Sequence, residues 1–226
     1  MTISILAFDE KAGSYGGAAA TGSLCVGGWV LRGDPESGLS ASQGSLPSTI
    51  WGNEVLRGMK NGASASTAVL DVTGRDGGRD QRQLSALDPV GGTGCFTGKE
   101  SIPAAGARQA RHVIVAGNML ASEDVLDAAL REFLEASGDL DRRLLQALAA
   151  AAAAGGDSRG FMSAALLVVS RDKAPVTLRI DHAEDPLADL RSLHRRATTG
   201  AYARWAAHVP TLADPERSEP YLDRVE

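Results

Sequence analysis

The chain has 226 residues, 43% of them hydrophobic but only 4% aromatic, and a formal net charge of −5. That length suits one sizeable core of aliphatic side chains and alanine, and the intermixed charges, without a basic stripe, exclude a surface built to neutralise phosphate backbones, so no nucleic-acid partner is expected. No apolar run reaches the roughly 18 to 20 residues of a membrane span, the start lacks the basic, apolar and cleavage segments of an export signal, and Cys25 and Cys95 read as free thiols; a cytoplasmic protein with no membrane partner is expected.

The opening Thr2–Asp9 reads as a strand, and removal of Met1 would leave Thr2 as the terminal residue. A terminal threonine carries a nucleophilic hydroxyl and its own base, the α-amine. Further short β-like runs punctuated by glycine follow at Tyr15–Thr21, Leu24–Leu31 and Leu39–Gln43, as in a set of antiparallel hairpins. Helical spacing of Ile50, Val55, Leu56 and Met59 predicts a helix over Ser48–Lys60, and Ala65–Val72 predicts a second. Strands are expected at Arg82–Leu87, Thr93–Thr97 and His112–Ala116. An amphipathic helix is expected over Glu123–Ala136, with acids in its first turn, and another over Asp139–Ala154, ending at Gly155-Gly156. The alanine run Ala149–Ala154 favours the helix and permits close packing on a sheet. Ser163–Ser170 reads as a strand covered on both faces, Val176–Asp181 pairs with it across Lys173-Ala174-Pro175, and a last helix runs from Asp185-Pro186 to about Ala207. This order, without repeated βαβ units, is α+β. One domain over 1–208 with a peripheral tail over 209–226 is expected.

Gly91–Lys99 is glycine-rich but fails the spacing of a phosphate loop, since Thr93 stands where the first glycine belongs and Glu100 follows Lys99. The four histidines are scattered without metal-ligand spacing, so neither metal nor cofactor is expected. Gly155-Gly156-Asp157-Ser158-Arg159-Gly160 packs an acid, a hydroxyl and a guanidinium into a glycine-framed turn before a buried strand. Asp157 and Arg159 either cap that turn or hold a substrate carboxylate or carbonyl. Gln43, Arg82, Gln83 and Asn118 fall at strand ends or adjoining turns, where polar groups converge on pockets.

Taken in order, Thr2–Asp9, Ala41-Ser42-Gln43, Arg82-Gln83-Leu84 with Phe96-Thr97-Gly98, Gly117–Leu120, Gly155–Gly160 with Ser163-Ala164-Ala165-Leu166, and Leu178–Asp181 with Asp185-Pro186 resemble the bacterial family called domain of unknown function 1028, grouped with the N-terminal nucleophile hydrolases. The resemblance implies a four-layer αββα sandwich with two mostly antiparallel sheets. It also implies a hydrolase of a small amide or carbamoyl compound, with Thr2 as nucleophile and base, Asn118 and Ser163 as oxyanion or orienting donors, and Gln43, Arg82, Asp157 and Arg159 shaping the substrate pocket. Met162, Gly22 and Ala104 or Ala105 depart from the family pattern. Those departures support the alternative, a non-catalytic or differently catalytic small-molecule binding protein on the same fold. Either would form a homo-oligomer.

Overall fold

Side-chain parity in the opening strand separates two apolar clusters. In β1 (Thr2–Asp9), Ile3, Ile5 and Ala7 point to one face, while Leu6 and Phe8 point to the other. β2 (Ser14–Thr21) returns antiparallel with Ile3 opposite Ala20 and Asp9 opposite Ser14, and keeps the same parity, Ala18 and Ala20 with Ile3, Tyr15 and Ala19 with Leu6. The computed structural model describes residues 2–219 and 221.

Six strands complete the larger sheet. With β7 (Gly106–Ala110), β8 (Val113–Asn118), β9 (Ser163–Ser170) and β10 (Val176–Ile180), its order is β10-β9-β2-β1-β8-β7. The Ile3 face is covered by α4 (Asp124–Glu135), α5 (Leu140–Ala153) and α6 (Pro186–Thr198), which contribute Leu126, Phe133, Leu144, Leu148 and Leu190 to the cluster. Ala147 and Ala151, from the alanine-rich part of α5, are fully buried there. Gly16 lets that helix approach, for a Cβ there would stand 2.6 Å from Leu144 Cδ1.

The smaller sheet consists of β3 (Leu31–Asp34), β4 (Gly38–Gly44), β5 (Arg82–Leu87) and β6 (Thr93–Thr97), in that order. Its Leu39, Ala41 and Leu87 pack with Leu6, Tyr15 and Ile114 of the larger sheet. Its Leu84 and Ala86 face the other way, onto Trp51, Val55 and Met59 of α2 (Trp51–Lys60) and Val69 of α3 (Ala65–Gly74). Every strand pairing among the described residues is antiparallel, so the fold is mixed α+β with two antiparallel sheets.

Three elements differ from the sequence-based expectation. The run 24–31 is not a strand: Cys25 adopts a left-handed conformation (φ 61°), a short helix α1 (Val26–Trp29) follows, and only from Leu31 does the chain extend. Ser163 causes this, its hydroxyl donating to the Ser23 carbonyl at 2.7 Å and accepting the Val26 N–H at 3.1 Å. Gly27 is needed because a Cβ would lie 2.7 Å from both Ala165 Cβ and Arg179 Cγ. β7 is an additional edge strand that Gly-Ala-Arg-Gln-Ala does not announce, since the hydrogen bonds of β8 and not apolar alternation hold it. The last helix divides at Thr199, which is extended, and Gly200 (φ 70°) starts α7 (Gly200–Ala206). After α7 no helix or strand occurs among the described residues, although Ala213 donates its N–H to the Arg171 carbonyl at 2.7 Å.

Candidate functional site

One end of the larger sheet carries a row of small polar side chains. Thr21 pairs with Ser163 and Thr2 with Asn118, while the β1–β2 register sets Thr2 beside Thr21. Parity turns Thr2 toward the smaller sheet, and its Oγ1 donates to Thr21 Oγ1 at 3.2 Å.

Uncharged amides join the two sheets behind Thr2. Gln43 and Gln83 are opposite each other on β4 and β5 and both are buried. Gln43 Nε2 donates to Gln83 Oε1 at 2.7 Å and is also directed at the carbonyls of Thr2 (3.3 Å) and Ala116 (3.4 Å). Gln83 shares its N–H groups among Thr97 Oγ1 (2.9 Å) and the carbonyls of Gly106 (3.0 Å) and Gly117 (2.9 Å), while its Oε1 also accepts Asn118 Nδ2 at 3.2 Å. Thr2 is thereby held from its own carbonyl and from its strand partner. Gln43 Oε1 is buried without a hydrogen-bond partner among the described residues.

In front of Thr2 opens a pocket of about 570 Å³. Leu24, Val26, Trp29 and Val30 form one wall, Leu46 and Pro47 another, and Thr2, Thr21, Ser23, Gln43, Ser45 and Thr49 supply uncharged polar groups. Among the described residues Arg82 is the only ionisable one lining it, and it is already engaged. Its Nη1 lies 2.6 Å from Asp76 Oδ2, its Nε donates to the Leu46 carbonyl at 2.9 Å, and its guanidinium sits 5.8 Å from the centre of the Trp51 ring. The described residues therefore offer the cavity hydroxyls and amides in an apolar enclosure without an uncompensated charge.

Of the residues singled out from sequence, Thr2, Gln43 and Arg82 line this pocket, while Asn118 lies behind it, opposite Thr2 on β8 and bonded to Gln83. Ser163 stands two strands from Thr2, and its hydroxyl is committed to positioning α1, the pocket wall. Asp157 lies at the same sheet end but does not line the pocket: its Oδ2 accepts Gly22 N–H at 2.5 Å, and its Oδ1 accepts Arg159 N–H at 2.8 Å and Nε at 3.2 Å. Arg159 Nη2 reaches Ser23 Oγ, on the rim, at 3.4 Å. A Cβ on Gly22 would stand 2.7 Å from Asp157 Oδ2, so glycine there is what admits the carboxylate.

Sequence reasoning passed over Thr21 and treated Gln83 only as a strand-end amide. The hairpin register contained the first, since strands 2–9 and 14–21 joined by a short turn set 2 against 21. Among the described residues no group of three or more His, Cys, Asp or Glu side chains is placed to hold a metal ion, and no helix is long and apolar enough to cross a membrane.

A family model described as a family of unknown function, DUF1028, matches residues 2–190. The chain belongs to that family. This DUF1028 member is similar to protein SPO2555 from Silicibacter pomeroyi, whose crystal structure carries the same family model: identity is 50%, the match covers 96% of this chain and 98% of that one, and the TM-score is 0.92. No curated protein matches the chain.

Proposed function

We propose that residues 1–208 form a single four-layer αββα domain related to the N-terminal nucleophile hydrolases, and that it hydrolyses a small amide or carbamoyl compound in the cytoplasm, as a homo-oligomer, with Thr2 as nucleophile. The observation that carries this reading is the Thr2 hydroxyl in the polar part of an otherwise apolar pocket, 3.2 Å from Thr21 Oγ1. In the proposed reaction Met1, which lies outside the described residues, is removed. The freed α-amine takes the proton of Thr2 Oγ1 as that oxygen bonds to the substrate carbonyl carbon. The C–N bond then breaks, the proton passes to the departing nitrogen, and water hydrolyses the resulting ester and restores the hydroxyl. Thr21 orients the attacking oxygen, and the Gln43–Gln83–Asn118 network keeps the strand end rigid.

Intact mass spectrometry with a threonine-directed electrophile tests this. The expected product lacks methionine and carries one adduct on Thr2. Thr2→Ala abolishes the adduct and lowers hydrolysis of a responsive amide by about 10⁴-fold while the protein stays folded. A retained methionine and an unreactive Thr2 would sink the reading.

A second reading, small-molecule binding without hydrolysis, is favoured by the commitment of the surrounding groups. Ser163, Asn118 and Gln83 all donate to protein acceptors, and among the described residues neither a carboxylate nor an imidazole lines the pocket. It predicts ligand-dependent stabilisation that survives Thr2→Ala.

A further inference from the structure

A second cavity, of about 440 Å³, lies between α5 and α6 and shares no lining residue with the Thr2 pocket. Leu145 and Ala149 give it an apolar base, and the exposed side chains of Arg142, Arg191 and Arg195 surround it. None of these guanidiniums forms an ion pair or hydrogen bond with another described residue. The acid beside them is already taken, because Asp141 Oδ2 holds His194 Nε2 at 2.6 Å.

This placement of cations runs against helix electrostatics. Arg142 sits in the first turn of α5, at the positive end of the helix dipole. Arg191 lies one turn before Arg195 on α6, where like charges four residues apart repel. Only Arg195, in the last turn of α6, is favoured by its own helix. In a chain of net charge −5, three guanidiniums around one concave surface, with only Asp141 beside Arg142 to offset them and that acid hydrogen-bonded to His194, are a local reversal of sign. An anion between them would turn each unfavourable placement into an attraction.

We propose that this cavity binds a small organic phosphate, its phosphoryl group held by Arg142, Arg191 and Arg195 and its carbon skeleton resting on Leu145 and Ala149. Forked guanidinium donors match the several oxygens and the double charge of a phosphomonoester better than they match a single carboxylate. The apolar base, in a cavity of the size that takes small molecules, calls for an organic body behind the anion.

Calorimetric titration of the full chain with phenyl phosphate, at low salt, tests the site. The expected result is saturable binding that weakens about tenfold in Arg191→Gln and in Arg142→Gln. Arg131→Gln, on α4 and outside the cavity, leaves it unchanged, and benzyl alcohol does not bind. Circular dichroism of each variant confirms that the fold is kept. Equal affinity for inorganic phosphate, unchanged affinity in Arg191→Gln, or uptake only on vesicles containing phosphatidic acid overturns the assignment.

Discussion

The Thr2 end of the larger sheet and the α5–α6 groove solve opposite problems with polar side chains. At the Thr2 end the groups are mostly uncharged, buried and bonded to one another, so that Gln83 alone touches Gln43, Asn118, Thr97 and two backbone carbonyls. At the groove the three guanidiniums are charged and exposed, and none makes an ion pair or hydrogen bond with another described residue. A largely satisfied buried network fixes geometry and leaves few groups for a ligand, here the Thr2 and Thr21 hydroxyls and the unpartnered Gln43 Oε1. Solvated cations fix nothing and keep their donors available. The first arrangement suits an orienting site, the second a site for charge.

The largest expected effect tests whether the amide network is structural. Gln83→Leu keeps roughly the same volume but strips buried partners from Gln43 Nε2, Asn118 Nδ2 and the carbonyls of Gly106 and Gly117. Chemical denaturation should show a loss of about 3–5 kcal/mol. Arg191→Gln, on the exposed groove, should stay within about 0.5 kcal/mol of wild type in the same assay. Comparable losses for the two would erase the contrast between the regions.

An intermediate effect is expected where a charge is buried in the turn beside Gly22. The Asp157 side chain is fully buried, whereas that of Arg159 is 45% exposed. Asp157→Ala leaves the N–H groups of Gly22 and Arg159 without their acceptor and should cost about 2–3 kcal/mol in urea melts. Arg159→Ala removes a partly solvated ion-pair partner and should cost about 1 kcal/mol or less. The reverse ranking would mean that Arg159, and not the turn's backbone, is what Asp157 serves.

Local pattern made most of this fold legible. The β-like run Thr2–Asp9, the continuous apolar run Ser163–Ser170, the apolar spacing of α2 and α4, the alanine run of α5 and its glycine stop announce their elements because the side chains that define them are the ones that become buried. The Val26–Trp29 helix was illegible because its cause, the Ser163 hydroxyl, lies 137 residues away along the chain. β7 was hidden for a related reason, since it is held by backbone pairing and shows no apolar alternation. At the site, Thr2, Gln43 and Asn118 could be placed from strand ends. The central position of Gln83 could not, because it requires knowing that the two sheets meet there. The arginines of the groove are spread over two helices that only packing brings together.

A further small effect concerns the Asp141–His194 contact under that groove. Burial alone would push the Asp141 carboxyl up, but hydrogen bonds from the His194 ring and the Arg142 backbone N–H, together with the charges of His194 and Arg142, outweigh it and hold it below the ordinary carboxylate value. The folded protein therefore binds a proton there less readily than the unfolded chain. The resulting stability is fully present above the unfolded value of about 3.9 and is lost as pH falls through the lower folded value. Asp141→Asn should cost about 1 kcal/mol at pH 7, and the gap from wild type should close on acidification. Because the variant keeps Arg142, Arg191 and Arg195, its affinity for phenyl phosphate should change far less than that of Arg191→Gln. A gap that persists below pH of about 2 would assign the stability to packing around His194 and not to the charge on Asp141.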